Sequence, residues 1–141
     1  MSKFLLDTNV LSELYDMENG DQNVNRWVRN QSFDNLFTTA LNIAEIQYGI
    51  ENVPPGRQRT ILQHSLNNYI LPQFYGHILS FELKAAEVWG SIRAEDRKRG
   101  TQRPIMDGLL AAIAIANDLG IVTRNVRDFA GLDIDLLNPW H

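Results

Sequence analysis

The sequence predicts an α/β fold, with a central and mostly parallel sheet of four to five short strands flanked by helices. Three observations carry that prediction. Short apolar runs of strand length alternate with longer stretches of helical periodicity along the whole chain. Two of those runs, Leu5-Leu6 and Leu36-Phe37-Thr38-Thr39, pass at once into helical spacing, as strands of a parallel sheet do when a crossover follows. The segment Pro104 to Asp118 is apolar nearly all round, so it belongs to a helix buried in the middle of the molecule.

Taken in order, Lys3–Leu6 is the first strand and ends abruptly at Asp7-Thr8-Asn9. Val10, Leu11, Leu14 and Tyr15 then recur at helical spacing. Asp16–Asn23, with Gly20, reads as a loop, and Val24, Trp27 and Val28 mark a second helix. Leu36–Thr39 is the second strand, and Ile43, Ile46, Gln47 and Ile50 form the helix after it. Asn52-Val53-Pro54-Pro55-Gly56 is the strongest loop signal in the chain. Arg57 to Tyr69 is amphipathic through Ile61, Leu62, Leu66 and Tyr69. Ile78-Leu79 is a third strand, and Glu82 to Arg97 a helix with Leu83, Ala86, Val88, Trp89 and Ile92 on one side. The buried helix follows, with Gly120 expected as its left-handed C-terminal cap. Ile121-Val122-Thr123 is the fourth strand, and Ile134–Leu137 the fifth. No internal repeat, low-complexity tract or linker interrupts this pattern, so one domain over residues 1–141 is expected.

Composition narrows the function classes. A length of 141 residues allows one substantial core, and 44% hydrophobic with 21% charged residues is the balance of a folded protein. The 13 Lys and Arg against 17 Asp and Glu leave a net charge of −4, which excludes a grip on nucleic acid by bulk charge. An acidic protein still acts on phosphates when cations cover some of its carboxylates. With no cysteine, disulfides, thiolate nucleophiles and cysteine-based zinc sites are excluded. His64, His77 and His141 are scattered without metal-ligand spacing, and Trp27, Trp89 and Trp140 read as core or interface rather than as stacking platforms. Glycine-rich phosphate loops, G-x-S-x-G and H-E-x-x-H are absent. A carboxylate after three apolar residues comes too soon for a secretory segment, and the longest apolar run, Leu109 to Ala116, is too short to span a bilayer. A soluble, cytoplasmic protein is the expectation.

In open parallel sheets, functional groups gather beyond the carboxyl ends of the strands. Asp7 follows strand one, Glu45 lies in the helix after strand two, and Asp107 opens the buried helix. Each has an ordinary alternative: Asp7 as an N-cap, Asn42 and Glu45 as a capping box, Asp107 as a complement to the helix dipole. Three acids at three such junctions of one small domain point further, because charges desolvated together call for a divalent cation. With no better nucleophile in the chain, metal-activated water is the chemistry these residue types suggest.

The same residues carry a resemblance. Phe4-Leu5-Leu6-Asp7-Thr8-Asn9-Val10-Leu11-Ser12-Glu13 resembles the opening of PIN domains, in particular the VapC/FitB-type toxins of type II toxin–antitoxin pairs. Ala44-Glu45-Ile46-Gln47-Tyr48-Gly49 is similar to the family's second motif, Asp107-Gly108-Leu109-Leu110-Ala111-Ala112 to its third, and Val122-Thr123-Arg124-Asn125 to its fourth. Arg127-Asp128-Phe129 and Asn138-Pro139-Trp140 also fit, so the resemblance runs in order from residue 4 to residue 140.

It implies a PIN-like three-layer sandwich and a Mg²⁺-dependent endoribonuclease, with Mn²⁺ as substitute, leaving 5′-phosphate and 3′-hydroxyl ends. It also implies a small cognate antitoxin and a toxin homodimer, to which exposed apolar groups on the Trp27 and Leu62–Tyr69 helices would contribute, and a larger assembly on DNA through the antitoxin. Asp7, Glu45 and Asp107 would be metal ligands, with Asn125 completing the ring. The family often places Asp where Asn125 stands, so a second metal should bind more weakly here. Asp128 is a candidate for the missing charge, with a surface turn or short-helix cap as its alternative. Thr8 and Thr123 would orient water or ligand, and Asn9 would hold the loop behind Asp7.

Arg93, Arg97, Lys98, Arg99 and Arg103, extended by Arg124 and Arg127, are either a solvated helix face or a rim that follows RNA phosphates. Two rival classes stay open. A receiver-type domain phosphorylated at Asp7 would lack the usual Asp-x-Asp, since Asn9 takes that place. A catalytically weak module acting mainly through an antitoxin and DNA-bound complex would bind no metal at millimolar Mg²⁺.

Overall fold

The computed structural model describes residues 2–15 and 19–141. Strand β1 (Phe4–Leu6) lies at the centre of a five-stranded, wholly parallel sheet. β2 (Leu36–Thr39) and β3 (Ile78–Leu79) extend it on one side, and β4 (Gly120–Val122) and β5 (Leu136–Leu137) on the other, giving the order β3-β2-β1-β4-β5. Leu5 lies beside Phe37 and Ile121, and Leu6 beside Val122.

Successive side chains leave opposite faces of a strand, and this alternation builds the layers. Leu6, Leu36 and Val122 point into one core with Val10, Leu11, Val24, Val28, Ile46, Ile50, Leu66, Ile70 and Phe74. That face is covered by α1 (Thr8–Tyr15), α2 (Gln22–Arg29), α3 (Ala40–Asn52), α4 (Arg57–Ser65) and its continuation. Leu5 and Ile121 point into the other core, against α6 (Leu83–Arg99) and α7 (Ile105–Ala116). Leu110, Ala111, Ala112, Ile113 and Ala114 are all buried, which is why α7 is apolar nearly all round. The three layers, helices on both faces of a parallel sheet, are those the sequence predicts.

Several details differ from the sequence reading. Gly120 is no helix cap. The left-handed residue after α7 is Asp118 (φ 55°), whose N–H donates to Ile115 O, while Leu119 N–H reaches back to Ala114 O in a Schellman closure. Gly120 serves close approach instead, since a Cβ there would stand 3.0 Å from the Phe4 ring and 3.1 Å from Asp135 O. Helix α2 begins inside the expected Asp16–Asn23 loop, because Asp21 caps it by accepting from Asn23 N and Val24 N; Asp16, Met17 and Glu18 lie outside the described residues. The fourth helix runs past Tyr69, through a π-helical stretch (Leu66–Ile70) into α5 (Leu71–Gln73). Pro72 gives the reason: its ring crowds the preceding turn, which widens so that Leu71 N–H bonds Leu66 O. On α6 the buried alanine is Ala85 rather than Ala86, and Leu83 is 76% exposed. Trp27 turns inward and is half-buried, its ring edge-on to Phe4 at 5.5 Å. Among the described residues, no helix is long and apolar enough to cross a membrane.

Candidate active site

The strand order reverses at β1. The chain moves from β1 outward to β2 and β3 and then crosses back to β4 on the other side of β1. Such a switch point opens a crevice at the carboxyl ends of the two strands. Asp7 follows β1 there and Thr123 follows β4, and the Thr123 hydroxyl donates to Asp7 Oδ2 at 2.8 Å. The buried Thr123 oxygen also accepts from Asn9 Nδ2 (3.3 Å) and Asn125 N (3.1 Å), and Asn9 Oδ1 accepts from Arg124 N (3.2 Å). Asp7 Oδ1 takes the Thr8 amide at 2.8 Å. Asn9 therefore ties the loop after β4 to the turn behind Asp7.

A second arm comes from β2 and α3. Thr39, not Asn42, is the N-cap of α3: its oxygen accepts from Asn42 N at 3.2 Å while its hydroxyl donates to Asn42 Oδ1 at 2.6 Å. The alternative for Glu45, a capping box with Asn42, does not form, because the helix starts three residues earlier than that box requires. Asn42, buried and so oriented, donates from Nδ2 to Thr8 Oγ1 at 3.0 Å and lies 3.4 Å from Asp7 Oδ1. Thr8 in turn donates to Glu45 Oε1 at 2.8 Å. Asn42 is the site residue that the sequence reading missed. Its signal was the local Thr39-x-x-Asn42 spacing, which reads as capping until the fold brings Thr8 across.

Asp107 is the third residue of α7 and makes no capping bond of its own to the helix start. Gly108 beside it admits Trp89, whose Nε1 would lie 3.3 Å from a Cβ at that position. Asp7, Thr8, Asn9, Asn42, Glu45, Asp107 and Asn125 line one cleft with Leu41, Met106 and Leu110. Burial holds the Asp7 carboxyl above the usual range, against the Thr123 and Thr8 hydrogen bonds that favour its charged form. Asp107 is pushed up to about 6, first by burial and then by the charges of Asp128, Asp7 and Glu45, with Arg103 pulling the other way. Asp128, on the exposed 3₁₀ turn Val126–Phe129, thus reaches both acids with its field.

The basic residues divide. Arg103 is no part of a rim, since its side chain is only 7% exposed and bonded to Asp96. Arg99 and Lys98 pair with Glu95, Arg93 lies over the Trp89 ring, and Arg97 is exposed on the same helix. Arg124, beside the cleft, lies over the Trp140 ring with 5.3 Å to its centroid, and Arg127 is exposed nearby.

Among the described residues, no three acidic or imidazole side chains stand close enough to ligate one ion together. The donors are all oxygen, and Asp107 charges only against the field of three other acids. That set suits a hard cation held by one or two carboxylates with waters in its remaining positions, the usual manner of Mg²⁺.

The family model described as PIN domain matches residues 4–134. The chain is 35% identical to VapC ribonuclease Y4jK of Sinorhizobium fredii over 96% of both chains. It is 31% identical to toxin FitB of Neisseria gonorrhoeae, covering 97% of this chain and 98% of that one. The crystal structure of FitAcB from the same organism superposes with a TM-score of 0.90, over 98% of this chain and 99% of the other. The chain belongs to the PIN-domain family, with proteins named VapC and FitB among its relatives.

Proposed function

We propose that this chain is a divalent-metal-dependent endoribonuclease, the toxin of a toxin–antitoxin pair. The observation that carries the reading is the convergence of Asp7, Glu45 and Asp107 on one cleft at the sheet's switch point. Relatives named ribonuclease and toxin support the substrate class and the biological role. Asp7 and Asp107 would hold Mg²⁺ or Mn²⁺, Glu45 would act through water, and Asn125 would complete the ring. When bound, the cation supplies a water of lowered pKa and positive charge against the phosphate.

The protein's own groups do the rest. Thr123 and the Thr8 amide orient Asp7 and favour its charged form against the burial that opposes it. The Thr39–Asn42–Thr8 chain ends with a donated proton on Glu45, which leaves that carboxylate's other oxygen for a water. Asp128 adds charge close to Asp107 that Asn125 does not. Arg124, backed by Trp140, presents a cation at the cleft for an RNA phosphate. A cleft of uncompensated acids would also take an arginine from a small antitoxin in place of metal.

The test is cleavage of total cellular RNA by the purified protein, with Mg²⁺ and with chelator, followed by sequencing of new 5′ ends. New ends should form only with metal, and Asp7→Asn, Glu45→Gln and Asp107→Asn should each abolish them while the fold persists. RNA left intact at saturating Mg²⁺ overturns the reading. In cells, the chain alone should halt growth, and its Asp7→Asn variant should not.

A further inference from the structure

We propose that Arg103 is a positioning residue of this cleft: it holds the turn that carries Asp128 against the entry to α7, the helix of Asp107, and so sets the charge that a cation meets. The proposal rests on the metal-dependent reading above. Sequence alone groups Arg103 with a basic run facing solvent. In the fold its side chain is buried and four of its five N–H groups are engaged. Nε donates to Asp96 Oδ2 and Nη2 to Asp96 Oδ1, both at 3.0 Å, a two-pronged pair whose side chains are 7% and 15% exposed. Nη1 donates to the Asp128 carbonyl at 2.6 Å and Nη2 to the Ala130 carbonyl at 3.2 Å.

One side chain thereby joins three segments: the end of α6 through Asp96, the entry to α7 on which Arg103 itself sits, and the turn after β4. Asp107 is four residues further along the second segment, and Asp128 lies on the third. The Val126–Phe129 turn needs such a holder. It is a single 3₁₀ turn closed by Asp128 N–H to Asn125 O and Ala130 N–H to Arg127 O, and only Phe129 anchors it in the core. Arg103 grips the carbonyls on either side of Phe129. A buried ion pair adds little net stability over apolar packing, so its contribution here is geometry. Lysine does not replace it, because one point charge cannot serve a carboxylate and two carbonyls in fixed directions.

The test uses the full chain and Mn²⁺ as probe. Asp96→Asn with Arg103→Gln removes one charge of each sign, so net charge is unchanged; the direct pull of Arg103 on Asp107 goes with it, and Arg103→Lys keeps that charge while losing the fork. Calorimetric Mn²⁺ affinity should fall about three- to tenfold, the scale of one charge moved a few ångströms in a partly wet site. For RNA cleavage at fixed Mn²⁺, kcat should fall and KM should not. Asp128→Asn should give a similar loss, and all three changes together should lose no more than Asp128→Asn alone, the non-additivity of groups acting through one another. Arg103→Lys, which keeps the charge and loses the fork, should also weaken Mn²⁺ binding. Additive losses overturn the proposal. So does a raised KM with a flatter salt dependence, which would make Arg103 an RNA contact, and so does lowered thermal stability with wild-type Mn²⁺ affinity and kcat. A wild type that binds Mn²⁺ and cuts no RNA sinks the nuclease reading, while the Mn²⁺ cycle still decides the role of Arg103.

Discussion

Thr123 Oγ1 donates to Asp7 Oδ2 at 2.8 Å, and this bond pins the carboxyl end of β4 to that of β1. A hydroxyl has one proton to give, and here Asn9 Nδ2 and Asn125 N both donate into the same oxygen. The Thr123 proton is therefore committed to the Asp7 carboxylate.

Thr123→Val, which keeps the shape and removes the hydroxyl, should destabilise the protein by about 1–3 kcal/mol, because two donors lose a buried acceptor. The same change should raise the Mg²⁺ concentration for half-maximal cleavage, since Asp7 loses a bond that favours its charged form. Thr123→Ser should behave nearly as wild type in urea melts and in cleavage. An equally impaired Ser variant would show that the methyl group, not the hydroxyl, matters.

Metal-free stability should fall with rising pH across a defined window. Asp107 goes from the ordinary 3.8 to about 6, and Asp7 also rises, so the folded chain binds more protons than the unfolded one between those values. Stability then drops as pH climbs through the window and levels above it. Urea melts in chelator from pH about 4 to about 8 should show this fall, and Mg²⁺ should restore stability at the upper end. Asp107→Asn should shrink the fall and leave the metal-free protein more stable at neutral pH. A stability that rises over the same window would show that the acids are already compensated.

Asn125→Asp should lower the Mg²⁺ needed for half-maximal cleavage, because its side chain lines the cleft and the change adds a negative charge there. An unchanged Mg²⁺ requirement would place residue 125 outside the metal ring.

Asp118→Gly should stabilise the chain by about 0.5–1 kcal/mol, since the position closes α7 with positive φ, where a Cβ is a burden. Asp118→Val should cost at least as much. Thermal unfolding of both variants checks this, and a destabilised Gly variant would mean that the aspartate side chain contributes more than the backbone conformation costs.

The layers were legible because Leu5 and Leu6 are both apolar and face opposite cores, the mark of a strand covered on both sides. The convergence of Asp7, Glu45 and Asp107 was legible for a related reason: parallel strands deliver their ends to one edge. What escaped were relationships between segments distant in sequence. Asn42 reads as a cap until Thr8 lies 3.0 Å from it, across 34 positions. Gly120 and Asp118 are two residues apart, and only the Phe4 ring shows that the glycine is there for contact rather than for curvature. Arg103 reads as surface charge because the two carbonyls that bury it lie 25 and 27 positions downstream.

The placement of β1 between β2 and β4 also sets the order in which the molecule is made. β1 pairs with β2 across about thirty residues and with β4 across 116, and closing the longer loop is the slower, costlier event. A chain folded only as far as α6 already has Asp7 and Glu45, yet lacks Thr123 to fix the first and Asp107 to face them. A partly made chain is thus intrinsically without the complete cleft.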